Sequence, residues 1–187
     1  MPGKMFCHRN YSCILHASYL ARGMQDAGVV PVAKHFPGHG DTSADSHLEL
    51  PVISHSRERI DIMESFPFRY LNELGIIGMM SAHLNVPALD PSGKPASVSE
   101  KIINGYLRDE IGFKGIVFTD AINMKGVQTG TKSIEVECLK AGNDIVVFVP
   151  DMLKAINAVK QAINDGELST GVIENKCRRV LALKRWA

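Results

Sequence analysis

Between residues 34 and 47 the chain reads KHFPGHGDTSADSH, which gathers three histidines, two aspartates and a lysine around a Pro-Gly and a second glycine. Three chemistries suit such a loop. Metal binding would draw on His35, His39, Asp41, Asp45 and His47, all nitrogen or carboxylate donors; Lys34 and the lack of a helical HxxxH spacing weigh against it. Phosphate binding would use the backbone of Pro37-Gly38-His39-Gly40, but the P-loop spelling is missing. Acid–base chemistry would use Asp45-Ser46-His47, which sets a carboxylate and an imidazole at i and i+2, on one side of an extended segment. A carboxylate that accepts from one ring nitrogen fixes the tautomer and raises the basicity of the other. A lone Asp-x-His is also what a solvated loop looks like, so the reading needs a second group. Asp120 supplies it: an aspartate at the end of an apolar run, next to Thr119 and ahead of Asn123. A carboxylate and a proton donor on opposite sides of a bond are the minimal set for glycoside hydrolysis, here with an imidazole in place of the usual second carboxylate.

Four short apolar runs must carry these groups: 28–33, 75–80, 115–118 and 144–148. Each is introduced by Gly or Asp and is apolar throughout, the pattern of parallel strands buried on both faces. Helical segments fall between and around them. They are expected over Ile14 to Ala27, up to about Leu74 with Pro67 in the first turn, from the capping-box spelling Ser97-Val98-Ser99-Glu100 to about Ile111, over Met152 to Asn164 and over Thr170 to Trp186. Strands alternating with helices give an α/β architecture with right-handed crossovers. The first three runs end in Lys34-His35, Ser81-Ala82-His83 and Thr119-Asp120. A single polar residue at such a place is ordinarily a helix cap. Titratable groups at three successive strand ends point instead to a site at the C-terminal face of a barrel or open sheet. Four strands are half of what a closed barrel of eight requires.

Bulk composition narrows the partners. The 187 residues carry 21 Lys and Arg against 20 Asp and Glu, so no net charge favours nucleic acid or an anionic membrane. No apolar run reaches the length of a membrane span. Cys7, Cys13, Cys138 and Cys177 form no CxxC or zinc spacing and read as separate reduced thiols, which suits the cytoplasm.

The stretch Lys34-His35-Phe36-Pro37-Gly38-His39-Gly40-Asp41-Thr42, followed by Asp45-Ser46-His47, resembles the hallmark of family 3 glycoside hydrolases of the bacterial β-N-acetylglucosaminidase branch. Residues 112–124 (GFKGIVFTDAINM) are similar to that family's nucleophile strand, residues 81–90 to an intervening strand and loop, and residues 141–144 to the entry of its last barrel strand. The resemblance runs over about residues 17 to 185, leaving 1–16 as a poorly matching segment and 17–187 as the C-terminal half of the (β/α)8 catalytic domain. It implies a TIM-barrel fold represented by its last four strand–helix units. It implies Asp120 as the nucleophile that forms a covalent glycosyl-enzyme, and His47, held by Asp45, as the acid and then the base. Lys34, His35 and His83 are the implied sugar-binding residues. The implied reaction releases terminal β-linked N-acetylglucosamine with retention, from an oligosaccharide or a muropeptide of cell-wall recycling, without metal or organic cofactor.

A neutral imidazole makes sense as the second group, because it accepts a proton without adding another negative charge beside the sugar. The loop holding Gly38, Gly40, Ser43 and Ala44 is expected to close over substrate and bring in His47. The absent half would hold an aspartate and an arginine of the sugar pocket, so two further outcomes stay open: an inactive remnant, and a β-glucosidase of the same family. A half-barrel also leaves strand edges exposed, from which self-association is expected.

Overall fold

The computed structural model describes residues 10–40, 42, 50–127 and 133–186. Four parallel strands form one sheet in the order of the chain: β1 (Val32–Phe36), β2 (Gly78–Ser81), β3 (Ile116–Ala121) and β4 (Ile145–Val147). The helices are α1 (Asn10–Asp26), the short α2 (Arg57–Arg59), α3 (Phe66–Glu73), α4 (Ile134–Ala141), α5 (Met152–Asn164) and α6 (Thr170–Trp186). A π-helical segment, Ile60–Glu64, follows α2, and a longer one, Lys101–Glu110, joins β2 to β3. The result is an arc of strand–helix units, each crossover returning the chain to the next parallel strand.

Helix ends explain where the strands begin. Gly28, at φ 75°, closes α1 while Val29 N–H reaches back to Met24 O at 2.8 Å. Gly75, at φ 77°, closes α3 in the same way, with Ile76 N–H on Leu71 O at 3.0 Å. Both are left-handed helix stops, for which glycine has no steric cost. β1 and β2 therefore start four and three residues later than the apolar runs imply. Pro67 lies in the first turn of α3, as its fixed φ favours. Ser133 and Asp151 cap α4 and α5 by accepting from Val136 and Lys154 N–H. The helix before β3 is capped by Ser99, whose Oγ accepts from Ile102 N–H at 3.3 Å, and not by Ser97. Ser97 lies in the 3-10 turn Ala96–Val98 instead.

Register divides the sheet into two faces. Met79 pairs with Val117, and both are fully buried beneath the crossover helices. They join Phe36, Ile53, Ile60, Phe68, Leu71, Ile102, Tyr106 and Leu107 in the main core. On the opposite face Met80, Phe118 and Ile145 line up across three strands and are only half-buried. Such a layer of bulky residues is what the interior of a barrel is built from. Cys138 and Cys177 are free thiols. Burial pushes the Cys138 thiol up to about 12, so it packs as an apolar side chain. No described helix is long and apolar enough to cross a membrane.

Candidate active site

Asp120 lies within β3, one residue from its end, with its side chain 21% exposed. Its Oδ1 accepts from Ala121 N–H at 2.8 Å. Its Oδ2 faces His35 Nε2 at 3.6 Å, an ion-pairing distance too long for a firm hydrogen bond. Among the described residues the carboxylate is thus held at one oxygen and has no hydrogen bond at the other. β1 brings Lys34 and His35 to the same end of the sheet, and Lys34 is exposed. The peptide bonds Lys34–His35 and Phe36–Pro37 are both cis. Burial holds His35 below the usual imidazole range, against the pull of Asp120, and Lys34 adds to the lowering. A neutral His35 at pH 7 offers a hydrogen bond without a charge.

Behind β1 the loop turns at Gly38, at φ 135°. A Cβ there would stand 2.7 Å from Glu64 Cβ and 2.8 Å from Glu64 O, so only glycine lets the loop lie on the π-helical segment. Ser65 Oγ donates to Pro37 O at 3.0 Å and fastens the same turn. His39 stands edge-on to His35, with ring centroids 5.7 Å apart, and its Nδ1 meets Thr42 Oγ1 at 3.0 Å. Asp45 and His47, the expected acid–base pair, lie outside the described residues, as does Asp41. Among the described residues no three His, Cys, Asp or Glu side chains gather closely enough to hold a metal.

His83 takes a different place from the one expected. It is 1% exposed, with Nδ1 2.7 Å from Ser97 Oγ and Nε2 3.1 Å from Ala121 O. Burial depresses its pKa, so the neutral ring accepts from the Ser97 hydroxyl and donates to the Ala121 carbonyl. Both of its ring nitrogens are engaged within the protein rather than turned toward a sugar. The chain Ser97–His83–Ala121 instead fixes the Ala121 carbonyl, one peptide beyond the N–H that holds the Asp120 carboxylate. Ser97 and Asn143 are the participants that sequence reasoning missed. Asn143 is fully buried, accepts from Ser81 Oγ at 2.7 Å and donates to Ser97 O and Cys138 O at 2.7 and 2.8 Å. A buried amide with all its groups satisfied locks the strand ends that carry the site.

A parallel α/β sheet with a carboxylate on β3 and an imidazole on β1, both toward its C-terminal end, has its polar groups where barrel enzymes keep their sites. The chain belongs to glycosyl hydrolase family 3, whose N-terminal domain is matched over residues 3–183. Its fold is accordingly of the TIM-barrel α/β type, of which four parallel strands are present. The chain is 38% identical to a beta-hexosaminidase of Nitrosospira multiformis over 144 residues, covering 75% of this chain and 41% of that protein. It is 40% identical to a beta-hexosaminidase of Photobacterium profundum over 149 residues, covering 78% and 43%. Among solved structures, a family 3 beta-N-acetylglucosaminidase from Paenibacillus sp. superposes with a TM-score of 0.86 at 39% identity, covering 90% of this chain and 33% of that one. The chain therefore spans under half the length of these relatives.

Proposed function

We propose that this chain supplies the nucleophile-bearing half of a retaining β-N-acetylhexosaminidase acting on terminal β-linked N-acetylglucosamine, with Asp120 as nucleophile. The observation that carries the reading is the state of the Asp120 carboxylate, anchored at one oxygen by Ala121 N–H and, among the described residues, free of a hydrogen bond at the other, where His35 stands at 3.6 Å. Nucleophilic catalysis requires such a placed but unsaturated carboxylate. Attack by Oδ2 on the anomeric carbon gives a covalent glycosyl-enzyme and inverts that centre. Attack by water inverts it again, so the configuration is retained. His47, oriented by Asp45, protonates the departing oxygen and then deprotonates the water. Lys34 and neutral His35 donate to sugar hydroxyls, contacts that strengthen as the ring flattens toward the oxocarbenium state. The spelling Asp45-Ser46-His47 and the names of the relatives support an N-acetyl sugar. Cell-wall muropeptides in the cytoplasm are the substrate source we favour.

A second reading concerns completeness. The open layer of Met80, Phe118 and Ile145 and the chain's coverage of its relatives favour activity only when a further half-barrel closes the sheet. Without it we expect self-association through β1 and β4. The test is hydrolysis of an aryl N-acetyl-β-glucosaminide by the 187-residue chain, alone and mixed with the N-terminal half of a relative. Turnover appearing with the second half, and faster on the N-acetyl substrate than on the aryl glucoside, supports the assignment. Sugar binding without turnover in either case overturns it in favour of an inactive remnant. His47→Ala should slow substrates with poor leaving groups far more than activated aryl glycosides; an equal loss on both removes the proton-donor role.

A further inference from the structure

At the other end of the sheet a cleft of about 460 Å³ opens between α4, α6 and the π-helix Lys101–Glu110. Arg108, Lys176 and Arg179 line it. The two arginines converge on a single carboxylate, Asp144, at the entry to β4. Asp144 Oδ2 accepts from Arg108 Nη2 at 2.7 Å and Val117 N–H at 2.9 Å; Oδ1 accepts from Arg179 Nε and Nη2 at 2.9 and 2.6 Å. Those four bonds fill a carboxylate's acceptor sites. Lys176 is left with a neutral partner, Asn143 O at 2.8 Å, although the residue is only 5% exposed. Two of its three N–H groups, and Arg179 Nη1, have no acceptor among the described residues.

Three positive charges against one negative charge, at the wall of a cleft, form a receptor for a doubly charged oxyanion. We propose that this cleft binds a phosphate group, free or carried by a small phosphomonoester, with Lys176 and Arg179 as its cationic ligands. Asn104 and Asn175 line the same cleft and add amide donors. The volume falls within the few hundred Å³ usual for small-molecule sites and exceeds what a bare phosphate fills, which suits an ester. The surrounding charges set the pH response. Lys140 and Glu167 pair with each other at 3.2 Å on one wall, and Glu100 lines the cleft and opposes an anion. Burial, with repulsion from Arg179 and Arg108 and a partly offsetting pull from Asp144, lowers Lys176 to about 8. An entering dianion would hold its proton in place. The cleft lies across the sheet from Asp120, and the proposal uses none of the catalytic assignments.

Titration calorimetry of the 187-residue chain tests this, with inorganic phosphate and glucose 6-phosphate as probes against potassium chloride at matched ionic strength. Saturable binding is expected. Lys176→Met should weaken it at least tenfold, and Glu100→Gln, at the mouth, should strengthen it severalfold. Sulfate, whose charge is constant over the range, should bind less tightly at pH 9 than at pH 7 as Lys176 loses its proton. Tighter binding of glucose 6-phosphate than of phosphate marks the ester as ligand, and equal binding marks the free ion. Heat no larger than the chloride control, or affinity undiminished in Lys176→Met, overturns the proposal.

Discussion

Two aspartates at opposite ends of the sheet, Asp120 in β3 and Asp144 just before β4, show how one fold gives the same side chain two uses. Asp144 has no exposed side-chain surface and receives four hydrogen bonds, from two guanidinium groups and a backbone amide. Every lone pair is committed, so it ties α6 and the π-helix to the strands and has nothing left for a reaction. Asp120 is 21% exposed and, among the described residues, receives one bond, from its own neighbour's amide, with His35 standing off at 3.6 Å. The first carboxylate holds the N-terminal end of the strands together. The second is held in place and, among the described residues, left unsaturated, which is what the nucleophile proposed for it requires. The division follows the general rule for this architecture, with stability at the N-terminal face and chemistry at the C-terminal face.

The contrast breaks most sharply under substitution. Asp120→Asn, assayed with the complementary half present, should lower kcat/KM by about 10⁴-fold or more. Its unfolding free energy should change by less than about 0.5 kcal/mol. Asp144→Ala should do the reverse. Leaving the buried Arg108 guanidinium and the part-exposed Arg179 without their carboxylate should cost about 3 kcal/mol in urea unfolding, most of it from Arg108, while whatever folds keeps its KM. A smaller effect is expected from Gly38→Ala, where a Cβ would meet Glu64 at positive φ. Strain of about 1–3 kcal/mol should appear as a lower midpoint of unfolding. The smallest concerns pH. His35 and His83 both titrate below their usual 6.5 because they are buried. The unfolded chain then binds protons that the folded one refuses, so stability should fall as pH drops from 6.5 through their folded values. His83→Gln should flatten that slope, read from unfolding midpoints between pH 5 and 7.5.

Much of this was legible in the residues. All four strands lie at or beside the apolar runs, because a parallel strand covered on both sides leaves a continuous apolar signature. Their starts were misplaced at Gly28 and Gly75, which end helices in the left-handed conformation rather than open strands. A glycine between a helix and a strand has the same spelling in either role. The π-helical pitch of Lys101–Glu110 leaves no such mark, since its apolar spacing still reads as an amphipathic helix. At the site, Asp120, Lys34 and His35 stand where a strand-end argument puts them. His83 shares their position at a strand end but not their exposure. Only packing reveals that Ser97 and Ala121 O occupy both of its nitrogens. The cation cluster around Asp144 draws on residues separated by dozens of positions, Arg108, Asp144 and Arg179, and no local pattern announces it.

The central claim is that Asp120 forms the bond to the sugar. It is tested most directly by trapping the glycosyl-enzyme with a fluorinated N-acetylglucosaminide in the chain assembled with its complementary half, followed by peptide mass analysis. The account predicts a single sugar adduct on the peptide containing Asp120, absent from Asp120→Asn. A label on any other carboxylate, or undiminished turnover by Asp120→Asn, would contradict it.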